Sequence, residues 1–357
     1  MTGIDSSYHT AISFPRRDFS YLKDRSLNFD LLRTKVFADR EKTKTVKFME
    51  WSAYAFTGMF IGLTAACMTN VEHRVMNFRR DFTDKLIGGE EGTIRNGWFL
   101  FSGFSLMCVI LASCMTIYYG PGAYGSGISD IVAYLNGVNV PRVFSFETMF
   151  TKITAIILAV AGGLCVGKEG PLAHIGANIG VVTAYLPLPH YVHLRNDKSK
   201  RHLIAAGTSA GIAAAFGAPV GGALFTYELS KPTTFWTFTV TWKVFMACAT
   251  SVFTLAICQD VVKYGEVRNV SSSALRFIGA AELNNATIAT IPACLANGLF
   301  CGVIGAVNII LTFKLRHLRN KYIKKKWMRV LEVALVSLLS TTTFFWMPYY
   351  LKTDCVP

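Results

Sequence analysis

Charged residues are scarce in this sequence, and acidic residues are scarcer than basic ones. Charged side chains make up 16% of the 357 residues, whereas hydrophobic side chains make up 52%. This balance excludes an ordinary soluble domain and predicts a membrane protein that crosses the bilayer several times. The net charge of +14 is better explained by basic residues on cytosolic ends and loops than by binding of nucleic acid.

The sequence also lacks any pair of cysteines with C-x-x-C spacing, and eight of its nine cysteines lie in or beside apolar runs. We expect them to be small buried hydrophobic residues, and we expect neither a disulfide framework nor a metal or cofactor. Residues 1–50 are polar at their start and carry no apolar run that would indicate a cleavable signal peptide. They are expected to form a cytosolic N-terminal region.

Two oppositely charged residues, Lys168 and Glu169, stand side by side within apolar sequence. Charged groups at membrane depth are costly, and they commonly mark an ion pathway. The flanking Gly167 and Gly170 let the backbone leave a helix, and Pro171 suits the first turn of a new one. The stretch predicts a broken helix whose second half points its free amides and positive dipole end at an anion.

Two further glycine-containing breaks interrupt the apolar sequence. Residues 120–130 form a glycine-dense loop that would begin a short helix, offering the hydroxyl of Ser126 and the amides of Gly127 and Ile128. Such a loop alone is weak support, because most are ordinary turns. A third break occurs at 216–220, and repeated broken apolar segments are typical of transporters.

The apolar segments are long enough to predict an ordered series of membrane-embedded helices. Lys152, near the start of one of them, is expected to snorkel to an interface. The polar segment 259–289 carries two glycosylation triplets, at Asn269 and Asn285, and the basic residues after 313 are expected to be cytosolic. These features predict that the polar segment is a luminal or extracellular linker. A mixed-charge loop is expected at 72–95. Helices are expected at 51–71, 97–119, 146–166, 234–258, 290–313 and 330–350.

Together these motifs resemble the CLC family of chloride channels and chloride/proton exchangers. The segment 125–129, with Gly125 and Ser129 at its ends, resembles the first filter loop, and 167–171 resembles the second. The run 213–225 resembles the helix that precedes the family's dimer interface. Residues 134–141 and 354–357 are similar to the late-endosomal and lysosomal branch of the family.

The resemblance implies an all-α polytopic membrane fold with broken and re-entrant helices. Residues 51–258 would be the first inverted repeat, and 290–357 would be the first two helices of a second, incomplete repeat. Glu169 would be the gating glutamate, and Ser126 would coordinate chloride through its hydroxyl. The resemblance further implies a homodimer of the complete protein, surrounded by lipid in an endosomal, lysosomal or vacuolar membrane.

Three features depart from the family pattern. Ser129 stands where the filter loop ordinarily has proline, and serine is an acceptable residue at a helix start. Leu229 stands where exchangers have a proton-transfer glutamate, and the neighbouring Glu228 points about 100° away. The third filter segment (Gly-x-Phe-x-Pro), a late tyrosine and the cytosolic CBS domains are not found in this sequence. The sequence therefore predicts doubtful proton coupling and an incomplete pore.

Three classes of function remain open. The favoured one is chloride transport through a CLC-type pathway, as a channel or as an exchanger. The second is a non-conducting subunit that regulates a full-length relative. An enzyme is disfavoured, because Glu169 and His174 do not share a helical face and no nucleophile or metal cluster accompanies them.

Overall fold

The structure is a computed structural model that describes residues 44–87, 94–138, 140, 142–186, 191, 194–230, 236–265 and 291–351. Within these ranges the regular structure is entirely helical, as the sequence predicts. The glycosylation triplets and most of the predicted cytosolic region lie outside the described residues. The α-helices are α1 (Lys44–Ile87), α2 (Ile94–Cys114), α3 (Ile128–Leu135), α4 (Phe146–Ala161), α5 (Glu169–Ala184), α6 (Asp197–Phe216), α7 (Pro219–Ser230), α8 (Phe238–Tyr264), α9 (Ile291–Tyr322) and α10 (Lys326–Leu351).

In the described part of the chain, five helices (α1, α2, α8, α9 and α10) are long and apolar enough to cross a membrane. The helices α4 and α5 have 16 residues each, fewer than the roughly 20 that a span requires. They are separated by a non-helical segment at 162–168, so the chain is broken within the apolar part of the protein. The prediction of an all-α membrane protein with broken helices is confirmed.

The predicted loop at 72–95 is wrong over most of its length, because α1 continues without interruption to Ile87. No glycine or proline occurs between residues 72 and 87, and the buried Glu72 and Thr83 and the partly buried Arg79 recur at helical spacing. The charged residues that suggested a loop lie mostly on the exposed side of this helix. A helix with one protected face can therefore carry many charges on its other face.

The core of the protein is built around the close crossing of α5 and α6. A Cβ added to Gly176 would collide with the carbonyl oxygen of Gly207, and the reverse substitution would collide with the carbonyl of Gly176. The stretch 205–214 of α6 consists mostly of small residues and is buried, as close helix packing requires. Residues of α1 and α8 complete this apolar cluster. The packing fixes α5, and with it the position of the α5 N-terminus.

The last two helices differ in how they meet the rest of the chain. α10 packs against α2, where the rings of Phe101 and Phe345 have centroids 5.8 Å apart. α9 has no buried residue, and its whole apolar surface is exposed. An ion pair of 2.7 Å between Arg319 and Glu332 joins α9 to α10.

Candidate functional site

The break at 162–168 places Glu169 at the first position of α5. The carboxylate folds back over the preceding loop, because a Cβ added to Gly167 would collide with Glu169 Oε2. Only glycine at position 167 leaves room for this arrangement. Since the first N–H groups of a helix have no partner within it, α5 presents free donors beside a carboxylate.

The loop before α3 has two glycines in the left-handed region, Gly125 with a φ of 70° and Gly127 with a φ of 82°. The Ser126 side chain between them is exposed, and the Ile128 N–H donates to its Oγ over 3.4 Å. Ser129 is the second residue of α3. The N–H that proline would remove there has no helical partner, so serine and proline both fit this position.

The structure brings these two loops into contact. A Cβ added to Gly170 would lie 2.8 Å from the Cβ of Ser126 and 3.5 Å from Cδ1 of Ile128. The hydroxyl of the first loop and the amide end of α5 therefore converge. Hydroxyl and amide donors around a helix N-terminus suit a small anion. Pro171 lies within the first turn of α5, as predicted.

Beneath the first loop lies a buried pair that sequence reasoning missed. Lys152 is 3% exposed, and its Nζ lies 2.6 Å from Nδ1 of His174 and 3.3 Å from the carbonyl oxygen of Ser126. The prediction that Lys152 snorkels to an interface is wrong, because α4 turns this side chain inward, under the loop. Since the ammonium group can only donate, His174 Nδ1 accepts and the imidazole proton resides on Nε2.

Gly127→Ala is expected to destabilise the protein clearly more than Gly125→Ala, although both residues have a left-handed backbone. A Cβ at Gly127 would lie 2.5 Å from His174 Nδ1 and 2.8 Å from Lys152 Nζ, whereas a Cβ at Gly125 meets nothing within 4 Å. The left-handed backbone costs each variant about 1–2 kcal/mol, and overpacking should add about 1–3 kcal/mol at 127 alone. Thermal unfolding of the two purified variants measures the difference. Equal losses would show that the Lys152–His174 pair does not restrain the loop.

The third break is also present. α6 ends at Phe216, Gly217 has a φ of 64°, and α7 begins at Pro219. On α7, Leu229 is partly buried while its neighbour Glu228 is exposed, so the two side chains occupy different surroundings. Among the described residues, no group of three or more His, Cys, Asp or Glu could hold a metal ion.

A second charged contact reaches the site from α1. The Oε2 atom of Glu72 lies 3.5 Å from Nζ of Lys168, the residue between Gly167 and Glu169. Sequence reasoning placed Glu72 in a loop, and so it missed this contact. After residue 71, positions that suit burial recur at helical spacing, and this pattern could have revealed the helix that brings Glu72 to Lys168.

The chain is similar in sequence to known proteins. Residues 108–354 match the family described as voltage gated chloride channel. The chain is 33% identical over 359 residues to H(+)/Cl(-) exchange transporter 7 of Homo sapiens, covering 94% of this chain and 43% of that protein. It is 30% identical over 348 residues to chloride channel protein CLC-a of Arabidopsis thaliana, covering 93% of this chain and 44% of that protein.

Solved structures agree with this fold. A slow cyanobacterial Cl-/H+ antiporter superposes with a TM-score of 0.66 at 21% identity, covering 82% of this chain and 63% of that one. A eukaryotic CLC transporter superposes with a TM-score of 0.65 at 20% identity, covering 84% of this chain and 50% of that one. The chain spans less than half the length of the two curated relatives above. The chain belongs to the CLC family of voltage-gated chloride channels and chloride/proton exchangers.

Proposed function

We propose that this protein takes part in chloride transport across a membrane through a CLC-type anion pathway. The observation that carries the proposal is the contact between Ser126 of the first loop and Gly170 at the start of α5. Two glycine-broken segments, distant in sequence, present their polar groups at one place inside an apolar protein. A hydroxyl and several amides carry no net charge, so they can bind an anion and release it again.

We propose the following roles for the site residues, which their positions support. Ser126 donates its hydroxyl to the ion, with the amides of Gly127 and Ile128 beside it. The amides of Lys168, Glu169 and Gly170 face the ion from the start of α5. The Glu169 carboxylate competes with chloride for these donors and opens the pathway when it swings away. Gly125, Ser129, Gly167 and Pro171 shape the two filter loops.

Vesicles reconstituted with the protein are expected to pass chloride and to exclude sodium. Ser126→Ala should weaken apparent chloride affinity by about 10- to 150-fold, because a hydrogen bond to a charged group contributes about 1.5–3 kcal/mol. Thr312→Ala is the control, since this hydroxyl is exposed on α9, outside the two filter loops, and its loss should leave affinity unchanged. Sodium flux comparable to chloride flux would refute an anion pathway.

The organisation of the whole protein is part of the proposal. We propose a homodimer in lipid, supported by the exposed apolar residues Val220, Leu224 and Tyr227 at helical spacing on α7. The cytosolic N-terminal region 1–50 and the linker 259–289 are supported by charge distribution, and the repeats 51–258 and 290–357 are supported by the family resemblance. An endosomal, lysosomal or vacuolar membrane is supported by the motif resemblance of 134–141 and 354–357.

A non-conducting regulatory subunit is the second candidate function. It is favoured by α9, whose 32 residues include none that is buried and whose surface is therefore available to lipid or to another protein. Co-expression with a full-length relative distinguishes the two candidates. Chloride flux from this chain alone supports the transporter, whereas an effect seen only on the relative's flux supports the subunit.

A further inference from the structure

We propose that Glu72 and Arg79 of α1 are positioning residues that clamp both ends of the break at 162–168 and thereby set the position of Glu169. The two residues are about two helical turns apart and so lie on the same face of α1. Glu72 forms an ion pair with Lys168 at the end of the break, and Arg79 lies beside Gly163 near its beginning, where an added Cβ would be 3.2 Å from Nη1. This proposal deepens the proposed function, because it rests on Glu169 being the gate.

At the end of the break, next to Glu169, the clamp is an ion pair. Glu72 is 9% exposed, and its Oε2 lies 3.5 Å from Nζ of Lys168. A carboxylate so protected from water is costly unless a cation compensates it, so Lys168 is held on the α1 side. Because Lys168 directly precedes Glu169, this contact restrains the residue from which the gate emerges.

At the beginning of the break, the clamp is the guanidinium group of Arg79. Arg79 Nη1 donates to Oγ of Ser105 over 2.9 Å, and its Cζ lies 4.3 Å from the centre of the Phe101 ring. These α2 contacts fix the guanidinium against Gly163, where an added Cβ would lie 3.2 Å from Nη1. The non-helical segment is therefore bounded by a charged group at each end. Its first residues keep backbone hydrogen bonds to the end of α4, such as the one from Gly162 N–H to the carbonyl oxygen of Leu158 over 2.8 Å.

Hydrogen–deuterium exchange of the purified protein tests the clamp without requiring transport. Glu72→Gln should make the backbone amides of 162–168 exchange several-fold faster, because Lys168 loses its partner. Asp84→Asn is the matched control, since Asp84 is an exposed acid on the same helix. Combining Glu72→Lys with Lys168→Glu should restore slow exchange. Unchanged exchange in Glu72→Gln would overturn the proposal, whatever the transport activity.

Chloride flux as a function of pH gives a second readout that loss of folding would not mimic. Glu72→Gln leaves the positive charge of Lys168 uncompensated, and this charge favours the ionised Glu169 carboxylate. The pH at which flux is half-maximal (the midpoint) should therefore shift to lower pH by up to about one unit. Lys168→Gln leaves Glu72 uncompensated, and the midpoint should shift to higher pH. Shifts of the same sign, or no shifts, would contradict the proposed positioning.

Other ionisable groups lie on the elements around the break and remain unchanged in these variants; they are Arg79 on α1, Asp130 on α3, Lys152 on α4, Cys165 in the break and His174 on α5. Failure of the clamp and failure of the proposed function remain distinguishable. If wild-type flux depends on pH through Glu169 but Glu72→Gln alters neither the midpoint nor the exchange, only the clamp is refuted. If Glu72→Gln speeds exchange while Glu169→Ala retains the pH dependence, the clamp stands and the gate lies elsewhere.

Discussion

Replacement of Glu169 by alanine is expected to give chloride flux that no longer depends on the pH of the outer solution. In the structure this carboxylate lies over Gly167 at the first turn of α5, next to the donors that the proposal assigns to chloride. A carboxylate there competes with chloride, and protonation removes the competing charge. Alanine removes both the competitor and the titrating group, so the pathway should conduct at every pH.

Flux into reconstituted vesicles over a range of outer pH measures this effect. Glu147→Ala is a matched control, because Glu147 is also a first-turn glutamate, on α4, and its side chain is exposed. The control variant should keep the wild-type pH dependence. An unchanged pH dependence in Glu169→Ala would show that the gate is another group.

A chloride gradient is expected to drive little or no proton movement in this protein. Proton transfer between bulk water and Glu169 requires titratable groups or ordered water across apolar protein, and family resemblance assigns the inner relay to the position of Leu229. Leucine cannot carry a proton. Glu228 is exposed in the structure and differs from Leu229 in its surroundings, so we do not expect it to replace the relay acid.

The measurement uses vesicles that contain a pH-sensitive dye and an imposed chloride gradient. The internal pH should stay constant while chloride moves. Proton movement against its own gradient would refute uncoupled transport, and loss of that movement in Glu228→Gln would then identify Glu228 as the relay. Leu229→Glu tests whether an acid at this position allows proton movement, although burying an unpaired carboxylate there costs several kcal/mol.

The sequence predicts local features of this fold well and its long-range charged contacts poorly. The breaks before α5 and α7 were predictable, because glycine and proline act on their own segment of backbone. The helical course of residues 72–87 was missed, since abundant charge suggested a loop although no residue there breaks a helix. The Glu72–Lys168 and Lys152–His174 contacts join residues far apart in the chain, and no local pattern specifies which partners meet.

The glycine-to-glycine crossing of α5 and α6 has a consequence for the speed of gating. Gly176 and Gly207 approach so closely that a side chain on either would collide with the carbonyl oxygen of the other, so the two helices pack backbone to backbone. If the helix that carries Glu169 is immobile, opening is confined to rotation of one side chain. Rotamer changes of exposed side chains take about picoseconds to nanoseconds, whereas helix shifts take about microseconds to milliseconds. Opening would then be limited by protonation and by arrival of the ion, not by rearrangement of the protein.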